Sequence, residues 1–433
     1  MNRVLTDEVS ECIGAELQLA GWIHHVRPLS QVTFVILRDR SGVAQVVVED
    51  MELREWLAGL HAESVVEVIG IAKAEDRAPR GVEVHASSIR LVSASTADPP
   101  IELRRRVLKE QLPRLLDHAA VAVRHPSKRA IFAISAAAVA GFRRTLDALD
   151  FTEINTPKIL GTATESGANV FTLDYFGRPA YLAQSPQFYK QMMVGAFERV
   201  YETGPVFRAE PHDTARHLAE YVSLDAELGF IRDYGDVMTV VRHAVAGMVD
   251  EIRREAAAAV ELLGVEMPEV PDVVPAIDFG VGQQMIEDAT GESVVGEPDL
   301  APAHERWLGE WAQRESGCDF VFVTGYPLSK RPFYTHPDPD RPDRSNSFDL
   351  LFRGLELATG GQRLHRLEDY LVALQSRSLD ADAFESYLEA FRYGMPPHGG
   401  FAIGLERFVA RLIEASNVRE ATLFPRDIQR LAP

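Results

Sequence analysis

A chain of 433 residues, 46% hydrophobic and 25% charged, has the make-up of a soluble globular protein and enough length for two or three domains. Its net charge of -19 excludes nucleic-acid binding through overall basicity, leaving only a local basic surface for that purpose. Two distant cysteines, Cys12 and Cys318, exclude a disulfide framework or cysteine metal site; with no apolar leader and no membrane-length run, a cytoplasmic setting is expected.

The first hundred residues alternate with a period of two. Candidate strands are residues 16–26, 33–41, 43–50, 64–74 and 81–93, with a short amphipathic helix, MELREWLAGL, between the third and fourth. Five strands with a helix before the fourth match the Greek-key barrel called the OB-fold, a frequent binder of single-stranded nucleic acid. Another small β-barrel is the alternative. A Pro-Pro break follows at ADPPIELRRRVLKE, and residues 101–129 carry eight lysines and arginines against three acidic residues. Such a run is either a solvated helix face or a surface that faces RNA.

Beyond this hinge the pattern changes. Residues 128–151 read as a long helix and residues 152–160 as a strand entering a proline. Further strands are expected at 180–185, 198–210, 221–230, 318–327, 347–360 and 399–408, with helices at 236–263 and 384–395. Consecutive strands outnumber helices, so the fold class is α+β: an antiparallel sheet flanked by helices, preceded by the barrel. The expected divisions are a barrel domain at 1–98, a hinge at 99–128 and a larger domain at 129–433. No Walker loop and no G-x-G-x-x-G follow a strand, so any nucleotide is held in another way.

TPKIL, QSPQFYKQ, FRAE followed by RHLAE, GLELATGGQR and GLERF occur in this order along the chain. Together they resemble the signature motifs of class II aminoacyl-tRNA synthetases, in the subgroup for aspartate, asparagine and lysine, over essentially the whole chain. FTEINTP, ending in Pro157, resembles motif 1, which in the family builds the dimer interface. FRAE resembles the strand of motif 2, and GLERF, with Gly404 and Arg407, resembles motif 3. The resemblance implies an OB-fold that binds the anticodon, a homodimer, and ATP with Mg2+. The chain has no large insertion between motifs 2 and 3, which makes it similar to the shorter archaeal and eukaryal form.

The chemistry agrees with these residues. A carboxylate that attacks the α-phosphorus of ATP is already ionised, so positioning and charge neutralisation matter more than a general base. Arg208 suits a bidentate grip on the α-phosphate and the carboxylate, and Arg407 beside Gly404 suits the γ-phosphate end. Glu210 would accept from the adenine amino group, while Arg216 and His217 would cover the β- and γ-phosphates. The alternative for Arg208 and Glu210 is a cross-strand ion pair. The resemblance also places Ala209, Leu218, Leu405 and Glu406 beside ATP, and it assigns the metal to Glu356 and Thr359, with Asp349 nearby. Ala358 and Thr359 stand where many relatives carry two serines, so only one hydroxyl remains. Pairing of Glu356 with an arginine is the alternative there.

Lys190 and Arg363 would bring two cations to one pocket and favour a negatively charged side chain, hence aspartate. The family pattern around them looks like the aspartate branch; an exposed helix lysine is the alternative for Lys190. Gln187 and Asp225 are candidates for the α-ammonium side, and ATESGANVF, with Glu165, resembles the loop that closes over the amino acid. In the barrel, His24 and Pro79 stand where strict relatives often carry Trp and Lys. Both resemble the relaxed subtype that charges the asparagine tRNA as well as the aspartate tRNA, which leads to a possible amidotransferase partner; an ordinary strand histidine is the other reading of His24. Phe34 and Gln45 are expected to stack on and hydrogen-bond to anticodon bases. Strict aspartate charging and an asparagine or lysine ligase remain as rivals. A binding paralogue without catalysis would have lost Arg208, Glu356 or Arg407, and all three are present.

Overall fold

The computed structural model describes residues 2–162, 169–211 and 213–432; Glu165, with residues 163–168 of its loop, lies outside the described residues. The chain divides into two compact units, Met1–His125 and Pro126–Pro433.

In the first unit, strands β1 (Glu16–Pro28), β2 (Thr33–Arg38), β3 (Val43–Val48), β4 (Val65–Ala74) and β5 (Val82–Ser93) close a barrel in the order β1-β2-β3-β5-β4. Alternation drives the closure. Leu17, Leu19 and Ile23 of β1, Val35 and Leu37 of β2, and Val66 and Val68 of β4 point inward and are buried; each such side chain contributes about 1.5–3 kcal/mol. Helix α1 (Met51–Ala58) plugs in between β3 and β4, started by Asp50, whose carboxylate accepts from the Leu53 amide at 2.9 Å. Two short helices, α2 (Leu112–Asp117) and α3 (Ala119–Ala122), follow the barrel. Five strands and one helix are what the sequence pattern predicts.

The second unit opens with α4 (Pro126–Ala148) and the short strand β6 (Thr152–Glu153). A small sheet follows, of β7 (Ile159–Leu160), β8 (Thr172–Tyr175) and β9 (Arg178–Leu182). Next come α5 (Gln187–Phe197), β10 (Arg199–Phe207), β11 (Glu220–Gly229), α6 (Tyr234–Glu255) and α7 (Ala257–Leu263). Then come β12 (Ala276–Asp278), α8 (Phe279–Thr290), α9 (Pro302–Ser316), β13 (Phe320–Thr324), β14 (Ser347–Phe352) and β15 (Leu355–Gln362). The unit closes with α10 (Leu367–Ser376), α11 (Glu385–Arg392), β16 (His398–Gly404) and α12 (Leu405–Leu412). Eight strands form one sheet in the order β12-β13-β14-β15-β16-β11-β10-β6, antiparallel except for the pairs at its two edges. Its largest core packs α4 and α6 against β11, β14 and β16 through Phe142, Val241, Met248, Leu224, Phe348 and Phe401.

Five sequence expectations need correction. The single strand expected at 152–160 is two short ones, β6 and β7, which belong to different sheets. SFDLLFRGLELATG is two strands, not one: Arg353 (φ 46°) and Gly354 (φ 72°) make a two-residue turn with both φ values positive, the conformation that suits a tight hairpin. GGFAIGLERF changes from strand to helix after Gly404. The helix expected at 236–263 breaks at Ala256 into α6 and α7. The strand expected to reach Glu210 ends at Phe207.

The β14–β15 turn rests directly on α9. A Cβ on Gly354 would fall 2.7 Å from the Arg306 Cα, and one on Gly309 would fall 2.4 Å from the Gly354 amide nitrogen. Backbone meets backbone here, so no side chain can move aside. Gly309→Ala is therefore expected to lower stability by about 1–3 kcal/mol through overpacking. A urea midpoint equal to that of the unsubstituted chain would show that the contact yields freely.

Candidate functional site

Strands β10 and β11 pair from Arg199↔Leu228 to Phe207↔Glu220, and the Arg208 amide extends the ladder by donating to the Ala219 carbonyl at 2.9 Å. Arg208 and Glu210 thus leave the sheet together at the start of a loop. They are not alternate residues of a strand. The Arg208 guanidinium lies over the Tyr221 ring, 5.5 Å from its centroid, with Nη1 3.9 Å from Glu210 Oε1. Glu210 Oε2 faces His217 Nε2 at 3.2 Å, and Thr214 fixes the other ring nitrogen of His217 through a 2.6 Å hydrogen bond.

These residues line one wall of a cleft of about 310 Å³. The opposite wall is made by β15 and α12. Arg407 Nη1 donates to the Glu356 carbonyl at 3.0 Å and lies 3.5 Å from its carboxylate, to which Thr359 Oγ1 donates at 3.2 Å. Desolvation opposes ionisation of Glu356, but the Arg407 and Arg331 guanidiniums outweigh it and hold the carboxyl below its ordinary range. Arg216 Nη1 donates to Glu305 Oε2 at 3.2 Å; burial, then the Glu356 charge, pushes the Glu305 carboxyl upward. Leu218, Gly404 and Glu406 also line the cleft, whereas Ala209 and Leu405 do not.

Asp349 adjoins this group, close enough for its carboxyl to feel the Glu356 charge and a hydrogen bond with Thr359. It pairs in register with Thr359, and its carboxylate sits in the core 3.0 Å from Arg331 Nη2, while Arg331 in turn stacks 4.1 Å from the Tyr326 ring centroid. Burial raises the Asp349 carboxyl, with the Arg331 charge opposing the rise and the Glu356 charge adding to it. No group of three or more His, Cys, Asp or Glu that could hold a metal occurs among the described residues. A magnesium ion carried in on phosphates needs only one or two carboxylates from the protein. The hard oxygens of Glu356 and Thr359 fit that requirement.

Behind the cleft lies a buried cluster, joined to it by Ser223, which lines the cleft and donates its hydroxyl to Asp225. Lys190, 1% exposed on α5, donates to Asp225 Oδ1 at 2.9 Å and to the Phe401 carbonyl at 3.0 Å, and lies 3.5 Å from Glu227 Oε2. Arg363 donates through Nε to Glu227 Oε1 at 3.0 Å and through Nη2 to the Gly400 carbonyl at 3.0 Å and Gln187 Oε1 at 3.4 Å. Gln187 Nε2 completes the ring by donating to Glu227 Oε2 at 3.3 Å. Burial works against the Glu227 charge, yet Arg363 and Lys190 keep its carboxyl below the usual range. Gly400 is required by this arrangement, because a Cβ there would fall 2.1 Å from Glu227 Oε2.

The cluster corrects the simple charge argument from sequence. Two cations do converge, but each already faces a carboxylate, so they do not present two unmatched charges. What remains open is Arg363 Nη1, the one nitrogen of that guanidinium without a hydrogen bond among the described residues. Asp225 belongs to Lys190 as an ion-pair partner. Sequence reasoning missed Tyr221, Ser223, Glu227, Glu305 and Arg331. The first three had a legible signal: with Asp225 they are polar or aromatic residues at every second position of YVSLDAELG, a strand whose other side chains are mostly apolar.

In the barrel, Arg27, Phe34, Val47 and His85 lie in register across β1, β2, β3 and β5, and His25, Ile36, Gln45 and Glu83 form the adjacent row. Arg27 stacks over Phe34 at 4.9 Å, and Gln45 Nε2 donates to Glu83 Oε2 at 2.9 Å. The other two residues are elsewhere. His24 sits at the bulge between Ile23 and His25 and lines a recess with Glu63 and residues 98–104; burial and the Arg38 charge lower its pKa. Pro79 opens the one-turn segment Pro79–Gly81 between β4 and β5. No hydrogen bond or ion pair joins His24 to Phe34 or Gln45 among the described residues.

The family described as class II tRNA synthetases (D, K and N) matches residues 112–428, and an OB-fold nucleic acid binding domain matches residues 17–92. The chain is 45% identical over 431 residues to an aspartate–tRNA(Asp/Asn) ligase of Thermus thermophilus, covering 100% of both chains. It is 36% identical to an aspartate–tRNA(Asp) ligase of Pyrococcus horikoshii, covering 99% of this chain and 98% of the other. Among solved structures, an asparaginyl-tRNA synthetase of Pyrococcus horikoshii complexed with asparaginyl-adenylate matches with a TM-score of 0.93 at 31% identity, covering 100% of both chains.

Two measurements test the electrostatics described. Removing Lys190 as Lys190→Met leaves Asp225 charged and buried, and should cost about 3–5 kcal/mol of unfolding free energy. Glu406 is a different case: both its oxygens accept from the Val222 amide at 3.1 Å, and burial raises its pKa from the ordinary 4.5 to about 7. Its folded form binds a proton that the unfolded chain releases, so its contribution is complete below pH 4.5 and is lost as the pH rises through 7. Replacing it as Glu406→Gln should flatten the decline of stability across that window by up to about 1.4 kcal/mol per pH unit. Parallel pH profiles for the two proteins would contradict the burial of an ionisable Glu406.

Proposed function

The chain belongs to the class II tRNA synthetases (D, K and N), and from that membership we propose that it is an aspartate–tRNA ligase acting on the tRNAs for aspartate and asparagine. The observation that carries this reading is the placement of Arg208, Arg216 and Arg407 around one cleft, beside a buried pocket in which Arg363 Nη1 is unengaged. The side-chain carboxylate of aspartate would take Arg363 Nη1 and approach Lys190. An asparagine amide there would leave the guanidinium facing a neutral group. Full-length likeness to ligases described as acting on both tRNAs supports the tRNA assignment.

In the reaction, an oxygen of the aspartate α-carboxylate attacks the α-phosphorus of ATP. One oxygen–phosphorus bond forms, the bond to the β-phosphate oxygen breaks, and aspartyl-adenylate and pyrophosphate result. Arg208, held at the mouth of β10 by Tyr221, aligns the two negative reactants and stabilises the crowded phosphorus. Glu210 then accepts from the adenine amino group, and Arg216, His217 and Arg407 receive the departing phosphates. Magnesium, held by Glu356 and Thr359 with phosphate oxygens, would supply charge neutralisation. Asp349 supports that pair from the core through its register with Thr359. The terminal ribose hydroxyl of tRNA subsequently attacks the aspartyl carbonyl and expels AMP.

Phe34 and Gln45 provide a ring and an amide on one barrel face for anticodon bases, and His24 with Pro79 supports relaxed reading of the last anticodon base. The divisions at 1–98, 99–128 and 129–433, the homodimer built on FTEINTP, a cytoplasmic location and an amidotransferase partner belong to the same proposal. Among the described residues no helix is long and apolar enough to cross a membrane.

Purified enzyme is expected to drive ATP–pyrophosphate exchange with aspartate and not with asparagine; the reverse would sink the amino-acid assignment. Arg208→Ala should reduce exchange by about a hundredfold or more, the usual effect of losing one transition-state donor. Both tRNAs should accept aspartate when offered separately, and failure of the asparagine tRNA alone would restrict the enzyme to one.

A further inference from the structure

A second cavity of about 180 Å³ opens beside the cleft, and the two share Arg216, Arg407 and Val418 in their walls. Its other cations are Arg306, from α9, and Arg411, from α12. No acidic residue lines it among the described residues; the remaining wall is small or aliphatic, with one serine. Glu305 and Glu356, which pair with Arg216 and Arg407, line or flank the first cleft and are not part of this lining.

Three features show that the cavity is short of an anion. Arg407 and Arg411 are four residues apart on α12, so two like charges share one helix face; Glu356 answers Arg407, and no carboxylate in this lining answers Arg411. Arg411 donates to the Arg353 carbonyl, but its Nε is buried without a hydrogen-bond partner. The Arg306 side chain, exposed to solvent, makes no hydrogen bond or ion pair with any described residue. Burial, and then the neighbouring Arg353 charge, also press the Arg411 pKa downward, a strain that a bound anion would relieve.

We propose that this cavity is a binding site for inorganic pyrophosphate, entered from the phosphate end of the cleft through Arg216 and Arg407 and completed by Arg306 and Arg411. The cavity offers no aromatic ring for a base to stack on, which suits a bare phosphate anion better than a nucleotide. The site rests on the ligase reading for its physiological role, since adenylate formation supplies the pyrophosphate; its affinity for the anion is a separate property of these residues.

The test is calorimetric titration of inorganic pyrophosphate into the full-length chain, without ATP, amino acid or tRNA, at 0.15 M salt so that distant charges are screened. Because the fold uses the backbone of Arg306 and not its exposed side chain, Arg306→Ala should fold normally and weaken binding about tenfold or more, as expected for one charge-assisted contact. Arg306→Lys, which keeps the charge, should recover most of the affinity. An Arg306→Ala chain that binds pyrophosphate as tightly as the unsubstituted one overturns the site. Absence of aspartate-dependent exchange would overturn the ligase reading alone and leave the titration result standing.

Discussion

Much of the catalytic unit is organised around one buried carboxylate. Glu227 has no measurable exposure, and it stands in the middle of β11 between Arg363, Lys190 and Gln187. A lone carboxylate at that depth would be untenable, and a lone cation opposite it equally so. Together they tie the N-terminal turn of α5 and the end of β15 to the centre of the sheet. They also force β16 to present glycine at position 400, because the carboxylate occupies the space a side chain would need. The pocket is held rigid by ion pairs that exist before any ligand arrives, which is what preorganisation requires.

The barrel was the more legible half. A period of two, broken by one amphipathic helix, is a complete description of a small closed barrel, and nothing long-range is needed to read it. The catalytic sheet was harder because its central strands are buried on both faces: all six positions of β14 are inaccessible, so the alternation that marks a strand is erased. The Arg353–Gly354 turn hid for a related reason, since apolar residues run up to it from both sides. Among site residues, those in short motifs were legible. Arg331 and Glu305 were not, because their partners Asp349 and Arg216 are 18 and 89 residues distant. Only folding makes them neighbours. The correction to Lys190 and Arg363 has the same origin: their positive charge is written in sequence, whereas the carboxylates that answer it come from a different strand.

The cleft itself is a set of cations with provisional partners. Glu210 faces Arg208 and His217, Glu305 holds Arg216, and Glu356 holds Arg407. Each pair is at least partly solvated, where an ion pair is worth little, so exchange of carboxylate for phosphate costs little. The buried cluster behind it has no such freedom. Adjustable pairs at the phosphate end and fixed pairs at the amino-acid end divide the labour between admitting a large flexible nucleotide and discriminating a small side chain.

The seating of the β14–β15 turn on α9 bears on how such a chain can change length over time. Surface hairpins are ordinarily where insertions and deletions accumulate, since a longer loop costs little. This one has backbone against backbone on its far side, with Gly354 against Arg306 and Gly309 against Gly354. A single added residue would push β15 out of step with β14, parting Thr359 from Asp349, and lift the helix that carries Glu305. Growth of the chain is therefore directed to other connections, and this turn should keep its two-residue length wherever the sheet and helix are both retained.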